Sequence, residues 1–148
     1  MTLTARRALP ADEAQFLTFC QNFHTEDGSP LDDAGLATIA RVVSGEPLAP
    51  AYMLEYQGQP AGFFVLTIGY SVENGGNDGF IDDLYLIPPL RGRGLGKRAV
   101  ELAIIAARDV GIRALLLEVE ANNHRAYALY EKMGFVDTKR RLLRQVIG

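Results

Sequence analysis

The chain has 148 residues, 48% of them apolar and 22% charged, with a formal net charge of −3. That length sets the expectation of one domain, 1–148, around one core, and the acidic balance argues against a nucleic-acid partner. No apolar run approaches the roughly 20 residues that span a bilayer, Arg6-Arg7 lacks the apolar stretch of a secretory signal, and the lone Cys20 makes neither an internal disulfide nor a zinc cluster, so a cytoplasmic protein without a metal or a membrane partner is expected.

Weak alternation over residues 3–8 predicts a first strand. Residues 10–23 read as a helix with Phe16, Leu17, Cys20 and Phe23 on one face. Ser29-Pro30-Leu31-Asp32 has the form of a capping box with proline at the first helical position, opening a second helix to about Ser44, where Gly45 stops it. Residues 51–56 and 61–70 read as strands joined by the turn Gln57-Gly58-Gln59-Pro60. Residues 74–79 read as a flexible turn into a strand over 80–87, with 73–79 a mobile flap. After Pro88-Pro89, a helix is predicted from about Arg93 to Val110, ended by Gly111. Residues 114–120 form a strand apolar enough to be central, and 123–133 a helix closed by Gly134. From Phe135 the chain is strand-like, with Lys139-Arg140-Arg141 as a solvated edge. Hairpins first and crossovers later predict an α/β protein with a mixed sheet.

The turn into the long helix reads Arg91-Gly92-Arg93-Gly94-Leu95-Gly96. Backbone N–H groups at a helix start lack intrahelical partners and carry about half a positive charge. Glycines leave no side chain between those groups and a bound phosphate, while Arg91, Arg93, Lys97 and Arg98 add charge. The spacing is wrong for a Walker loop: Arg91 stands where its first glycine belongs, and Gly96-Lys97 is followed by Arg98. A dinucleotide fingerprint fails when counted from Gly92 but is permitted from Gly94 to Ala99, so a nucleotide-binding domain is a rival. The pattern that fits without strain is Arg91-x-x-Gly94-x-Gly96.

That pattern resembles the acetyl-CoA signature of the GNAT acetyltransferase superfamily: Gln or Arg, two residues, Gly, one residue, then Gly or Ala. The resemblance extends upstream through Leu84-Tyr85-Leu86-Ile87-Pro88. Downstream, Asn123-His124-Arg125-Ala126-Tyr127-Ala128-Leu129-Tyr130-Glu131-Lys132-Met133-Gly134-Phe135 is similar to the family's second signature, Asn-x-x-Ala-x-x-Leu-Tyr-x-x-x-Gly-Phe. The similarity covers 80–135 well and the first third in outline, and it leaves the nucleotide-binding rival with no account of 123–135. It implies a GNAT-like fold, a central mixed sheet flanked by about four helices. The family commonly ends in a two-strand hairpin. This chain stops at Gly148, soon after Gly134, which leaves room for one long strand or for a sheet edge completed by a second subunit in a homodimer.

The resemblance further implies acetyl transfer by direct attack from acetyl-CoA, as cosubstrate, to an amine, with a small-molecule acceptor favoured. Arg91, Gly92, Arg93, Gly94, Leu95, Gly96 and Lys97 would hold the pyrophosphate, Leu84, Leu86 and Ile87 the pantetheine arm, with Tyr130 also against the cofactor, and Asn123, at a helix start, would cap that helix, bind the arm, or do both with different groups. An amine of pKa near 10 is about 0.1% neutral at pH 7, so a base must take its proton. The thioester oxygen needs a donor, assigned to the Leu86 N–H. The departing thiolate needs an acid, assigned to Tyr130, although a phenol near 10 and a thiol near 8.5 make that transfer uphill unless the site raises the basicity of the thiolate. The base stays open among Asp82, Asp83, Glu118 and Glu120. Adjacent carboxylates on a strand point to opposite faces, so one of Asp82 and Asp83 faces the cleft or pairs with an arginine. Glu118 and Glu120 share a face of the next strand.

On the acceptor side, His24, Glu26 and Asp27 lie in the link after the first helix, and Tyr70, Ser71 and Glu73 end a strand beside it. Their acidity suits a cationic amine. Cys20, remote from the motifs in sequence, has no evident role as an acyl carrier. The alternative function is an acyl-CoA-binding sensor or regulatory domain of the same fold, against which Tyr130 argues.

Overall fold

A computed structural model describes residues 2–148. The chain divides into two compact units, Met1–Leu117 and Glu118–Gly148.

The first unit is built on a five-stranded mixed sheet in the order β1 (Leu3–Arg7), β2 (Ala51–Tyr56), β3 (Gln59–Ser71), β4 (Gly76–Leu86), β5 (Ala114–Leu116). The first four are antiparallel neighbours, and β5 lies parallel to β4. A parallel neighbour needs a crossover, supplied by α4 (Leu95–Asp109). The β2–β3 hairpin closes through Gln57 and Gly58, at φ 54° and 74°; two successive positive φ values give a turn whose twist matches its strands.

Helices cover both faces. On one, α1 (Glu13–Glu26) and α3 (Ile39–Val43) bury Phe16, Phe19, Ile39 and Val43 against Met53, Phe63, Val65 and Tyr85. Strand alternation sends Leu54, Phe64 and Leu66, all buried, to the other face. There α4, which packs on β1, β3 and β4, buries Ala99, Val100, Ala103, Ala106 and Ala107 in one helical stripe. Alanines bring the helix axis close to the sheet.

The described boundaries differ from the sequence reading at five places. The second helix is two short ones, α2 (Asp33–Ala37) and α3, broken at Thr38, whose hydroxyl donates to the Gly35 carbonyl at 2.7 Å. Its cap is Asp32, which accepts from the Gly35 N–H at 2.8 Å, so Pro30 stays outside the helix. Residues 76–79 are strand, not flap: Gly76 is buried, Gly79 is hemmed by the Thr67 carbonyl and Ile112, and the Arg113 N–H donates to the Asn77 carbonyl at 2.8 Å. Strand β5 stops at Leu116 and is an edge strand of half-buried residues, not a central one.

The second unit contains α5 (His124–Lys132), closed by Gly134 at φ 98°. No strand is described from Phe135 onward, against the expected terminal strand: Leu142, Leu143, Val146 and Ile147 are exposed and gain nothing from a buried face. Counting α2 and α3 as one segment, three α-helical segments among the described residues of the first unit accompany the sheet, and α5 belongs to the second. Among the described residues, no helix is long and apolar enough to cross a membrane.

Gly62 sits where a Cβ would overlap the Tyr85 carbonyl oxygen on β4. Gly62→Ala is expected to destabilise the fold by about 3 kcal/mol, read as a fall of about 1–2 M in the urea midpoint.

Candidate active site

The site starts from a fault in the β3–β4 ladder. Val65 pairs with Asp83 and Leu66 with Ile81, leaving Asp82 as the extra residue of a β-bulge. In a regular strand Asp82 and Asp83 would point to opposite faces, as expected above. The bulge cancels that alternation, and both line one cleft of about 690 Å³. The other walls come from α1 (Phe16, Cys20, His24), the α2–α3 segment (Ile39, Arg41, Val42), the stretch before β2 (Glu46, Leu48) and β3 (Val65, Thr67).

His24 Nε2 lies 3.0 Å from Asp83 Oδ2, with the side chains 20% and 15% exposed. The Phe23 ring meets the imidazole edge-on at 5.0 Å between centroids and fixes its plane. Burial pushes the Asp83 carboxyl above the usual range, the negative charge of Asp82 adds to the rise, and His24 opposes it. Desolvation also raises Asp82, opposed by His24; the residue is the more open of the two, so Asp83 is the better-founded proton acceptor. Cys20, remote in sequence, lines the same cleft, which removes the distance argument about it. Burial first, then Asp83, push its thiol up to about 12, so at neutral pH the sulfur keeps its proton and is a poor nucleophile.

Strand β4 also has a free edge. β5 pairs with it only at Asp78, Gly79 and Phe80, and among the described residues no strand pairs there over 81–86. The Ile87 N–H donates to the Ala61 carbonyl at 2.9 Å, so by alternation Tyr85 and Asp83 also face β3 while Leu84 and Leu86 face outward. The Leu86 carbonyl, on that outer side, accepts from Arg91 Nε at 2.8 Å. The N–H groups of Leu84 and Leu86 thus point away from β3, whereas both backbone groups of Ile87 are engaged within the chain, its carbonyl with the Leu90 N–H.

The strand leads into the glycine turn. Gly92 and Gly94 take φ of 71° and 78°, and Gly94 is the N-cap of α4 with no side-chain cap. Gly96 lies inside the helix, and a Cβ there, as at Gly92 and Gly94, would meet no atom within 4 Å. Neither packing nor a positive φ requires glycine at 96. Open backbone N–H groups without side chains fit a bound phosphate. The cations divide their roles. Arg91 turns back, donating to Glu26 at 2.8 Å and lying 5.4 Å over the Tyr85 ring. Arg93 rests 5.7 Å over Tyr56, and Arg98 reaches Glu101 at 3.6 Å. Lys97 is exposed at the turn.

In the second unit, Asn123 caps α5, its side-chain oxygen accepting from the Ala126 N–H at 3.1 Å. Tyr130 lies on α5 against Phe135, at 5.9 Å and 67°, and burial pushes its phenol up. Glu118 and Glu120 lie outside any strand, so the argument that they share a strand face has no basis.

Of the acceptor-side candidates only His24 lines the cleft. Glu26 holds Arg91 instead, Tyr70 is 79% exposed at the end of β3, and Asp27, Ser71 and Glu73 are not in the wall. Cys20, Arg41 and Glu46 were not singled out for the cleft, and no motif marks them. Among the described residues no group of His, Cys, Asp and Glu is arranged to hold a metal.

In the folded protein, iodoacetamide is expected to alkylate Cys20 at pH 8 at least about tenfold more slowly than in 6 M urea. Equal rates by mass spectrometry would contradict the buried, protonated thiol.

Comparison with known proteins now bears on this geometry. Residues 15–135 match the model of the Acetyltransferase (GNAT) family. The uncharacterized N-acetyltransferase YycN of Bacillus subtilis (strain 168) is 44% identical over 73 residues, 49% of this chain and 47% of that protein, so the match spans about half the relative's length. Aminoglycoside N(6')-acetyltransferase type 1 of Stenotrophomonas maltophilia is 26% identical over 140 residues, 93% of this chain and 88% of that one. The crystal structure of integron cassette protein HFX_CASS3, from the mobile metagenome of Cole Harbour Salt Marsh, superposes with a TM-score of 0.81 at 31% identity, covering 98% of this chain and 91% of the other. With a family model over most of its length and the fold of its relatives, the chain belongs to the acetyltransferase (GNAT) family.

Proposed function

We propose that the chain transfers the acetyl group of acetyl-CoA directly to the primary amine of a small molecule. The observation that carries this reading is the free edge of β4. It presents two outward N–H groups, runs into an uncapped glycine-lined helix start, and bears a histidine-paired carboxylate on its bulge. The full-length similarity to an aminoglycoside acetyltransferase supports a small-molecule acceptor.

In this reading the backbone of Gly92–Gly96, with Lys97, holds the pyrophosphate, and the Leu84–Leu86 edge pairs with the pantetheine arm. The Asp83 carboxylate, oriented by His24, takes a proton from the ammonium of the acceptor. Its raised pKa brings it closer to the amine than an ordinary carboxylate and strengthens it as a base. The amine nitrogen then attacks the thioester carbon, and the developing oxyanion accepts from the Leu86 N–H. The C–N bond forms, the C–S bond breaks, the thiolate takes a proton from Tyr130, a role assigned on its place in the second signature, and the surplus proton on the nitrogen passes through solvent to restore the phenol, leaving a neutral amide. The phenol keeps its proton at neutral pH, since burial raises it.

Acetyl-CoA at about 100 times its dissociation constant is expected to raise the unfolding midpoint by about 5–10 °C, with little effect from ATP or NAD. Gly96→Asp separates the turn's two roles. An acid in the first turn favours the helix, so the free protein keeps its midpoint, but the like charge abolishes the acetyl-CoA shift. A retained shift would remove the pyrophosphate site from this turn.

Tyr130→Phe and Asp83→Asn are each expected to lower kcat about 10²-fold in a thiol-release assay, with acetyl-CoA affinity within about twofold of the parent. In the parent, kcat/KM rises with pH as Asp83 loses its proton, on a limb above the usual carboxylate range that Asp83→Asn removes. An acetyl-CoA shift without thiol release for any amine would favour an acyl-CoA sensor instead.

A further inference from the structure

We propose that the cleft beside Asp83 takes a primary amine bearing one positive charge on a compact apolar body, an arylalkylamine, in preference to a polycation or an amino acid. This rests on the acetyl-transfer reading and narrows it to a substrate class.

Most polar groups of the wall already have partners. The Thr38 hydroxyl donates to the Gly35 carbonyl at 2.7 Å. The Thr67 hydroxyl accepts from the Phe80 N–H at 3.3 Å. Arg41 and Glu46 hold each other at 3.2 Å, and His24 holds one oxygen of Asp83 at 3.0 Å. The anionic groups left for a ligand are the Asp82 carboxylate, which makes no hydrogen bond or ion pair with the described residues, and the rest of Asp83 beside it; the Thr67 O–H and the outer N–H groups of the exposed Arg41 add donors but no further anion. Two adjacent carboxylates concentrate negative potential at one place, which suits one ammonium.

The remaining wall is apolar, with Phe16, Ile39, Val42 and Val65, and with Leu48 at 64% exposure on the margin. A polycation would leave further ammonium and hydroxyl groups unpaired against that wall. The carboxylate of an amino acid would be repelled by Asp82 and Asp83 and would find the charge of Arg41 already offset by Glu46. A volume of about 690 Å³ lies in the range of small-molecule sites.

The test measures kcat/KM by thiol release at saturating acetyl-CoA for 2-phenylethylamine, phenylalanine and neamine, in the parent and in Leu48→Glu. The expected result is at least a tenfold advantage for 2-phenylethylamine in the parent, cut about tenfold in Leu48→Glu with the acetyl-CoA thermal shift retained. Equal or better turnover of phenylalanine or neamine overturns the class. So does a Leu48→Glu variant that leaves the preference intact. If no amine is turned over, titration calorimetry of the three amines into the protein, with and without CoA, decides. Tightest binding of 2-phenylethylamine supports the class, and tighter neamine or phenylalanine, or no binding, overturns it. Loss of the acetyl-CoA shift in the parent would strike the acetyl-transfer reading instead, while the calorimetric ranking would still judge the cleft.

Discussion

The parting of β4 from β5 is the constraint on which the rest of the first unit depends. Its partner β5 leaves after Phe80, while on the other side β3 stays paired as far as Leu86. A strand hydrogen-bonded on one side only carries an outward row of N–H and C=O groups, normally a liability. Here that row ends at Leu86, whose carbonyl is held by Arg91, and the chain passes at once into the glycine turn. The free edge and the glycine-lined helix start are successive segments of one short piece of chain, so their spacing is set by covalent geometry rather than by packing.

The bulge at Asp82 gives the same strand its second property. A regular ladder would have divided the two carboxylates between the α1 side and the α4 side, and neither face alone would hold a pair. One extra residue brings both into the cleft under α1, where burial and the charge of Asp82 make a charge on Asp83 more costly. His24, from the last turn of α1, relieves part of that cost through its contact with Asp83. Low polarity, a neighbouring acid and a histidine partner act together on one carboxylate, while the same low polarity keeps the nearby Cys20 protonated. One environment thus favours the carboxyl as base and silences the thiol as nucleophile.

The glycine turn separates structural from functional need. Gly92 and Gly94 have a backbone reason, a positive φ. Gly96 has no such reason, and only the proposed pyrophosphate contact calls for a missing side chain there. Arg91, the first residue of the signature, serves as a brace between Leu86, Glu26 and Tyr85. Motif membership did not distinguish a brace from a phosphate contact, because both require the same cation at the same place in sequence.

Local patterns were enough to place β2 at Ala51–Tyr56, α4 near its observed ends, the Asn123 cap and the glycine turn, because each depends on residues within a few positions of one another. The two signatures carried the family for the same reason. Apart from one local bond at Thr38, the reading failed where the deciding partner was distant or the burial absent. Thr38 broke the second helix through a short local bond, but residues 76–79 became strand by pairing with β3 and packing against Ile112 and Arg113. Glu118 and Glu120 lost their shared face because β5 ends at Leu116. The sequence by itself determined which residues form the turn, the strand before it and the two signatures. Only the tertiary structure decided that Asp82 bulges, that His24 meets Asp83 from 59 positions away, and that Cys20, Arg41 and Glu46 share their cleft. Alternation and spacing encode the direction of a side chain along its own element. The register between elements follows from the packing of their faces, which no local pattern contains.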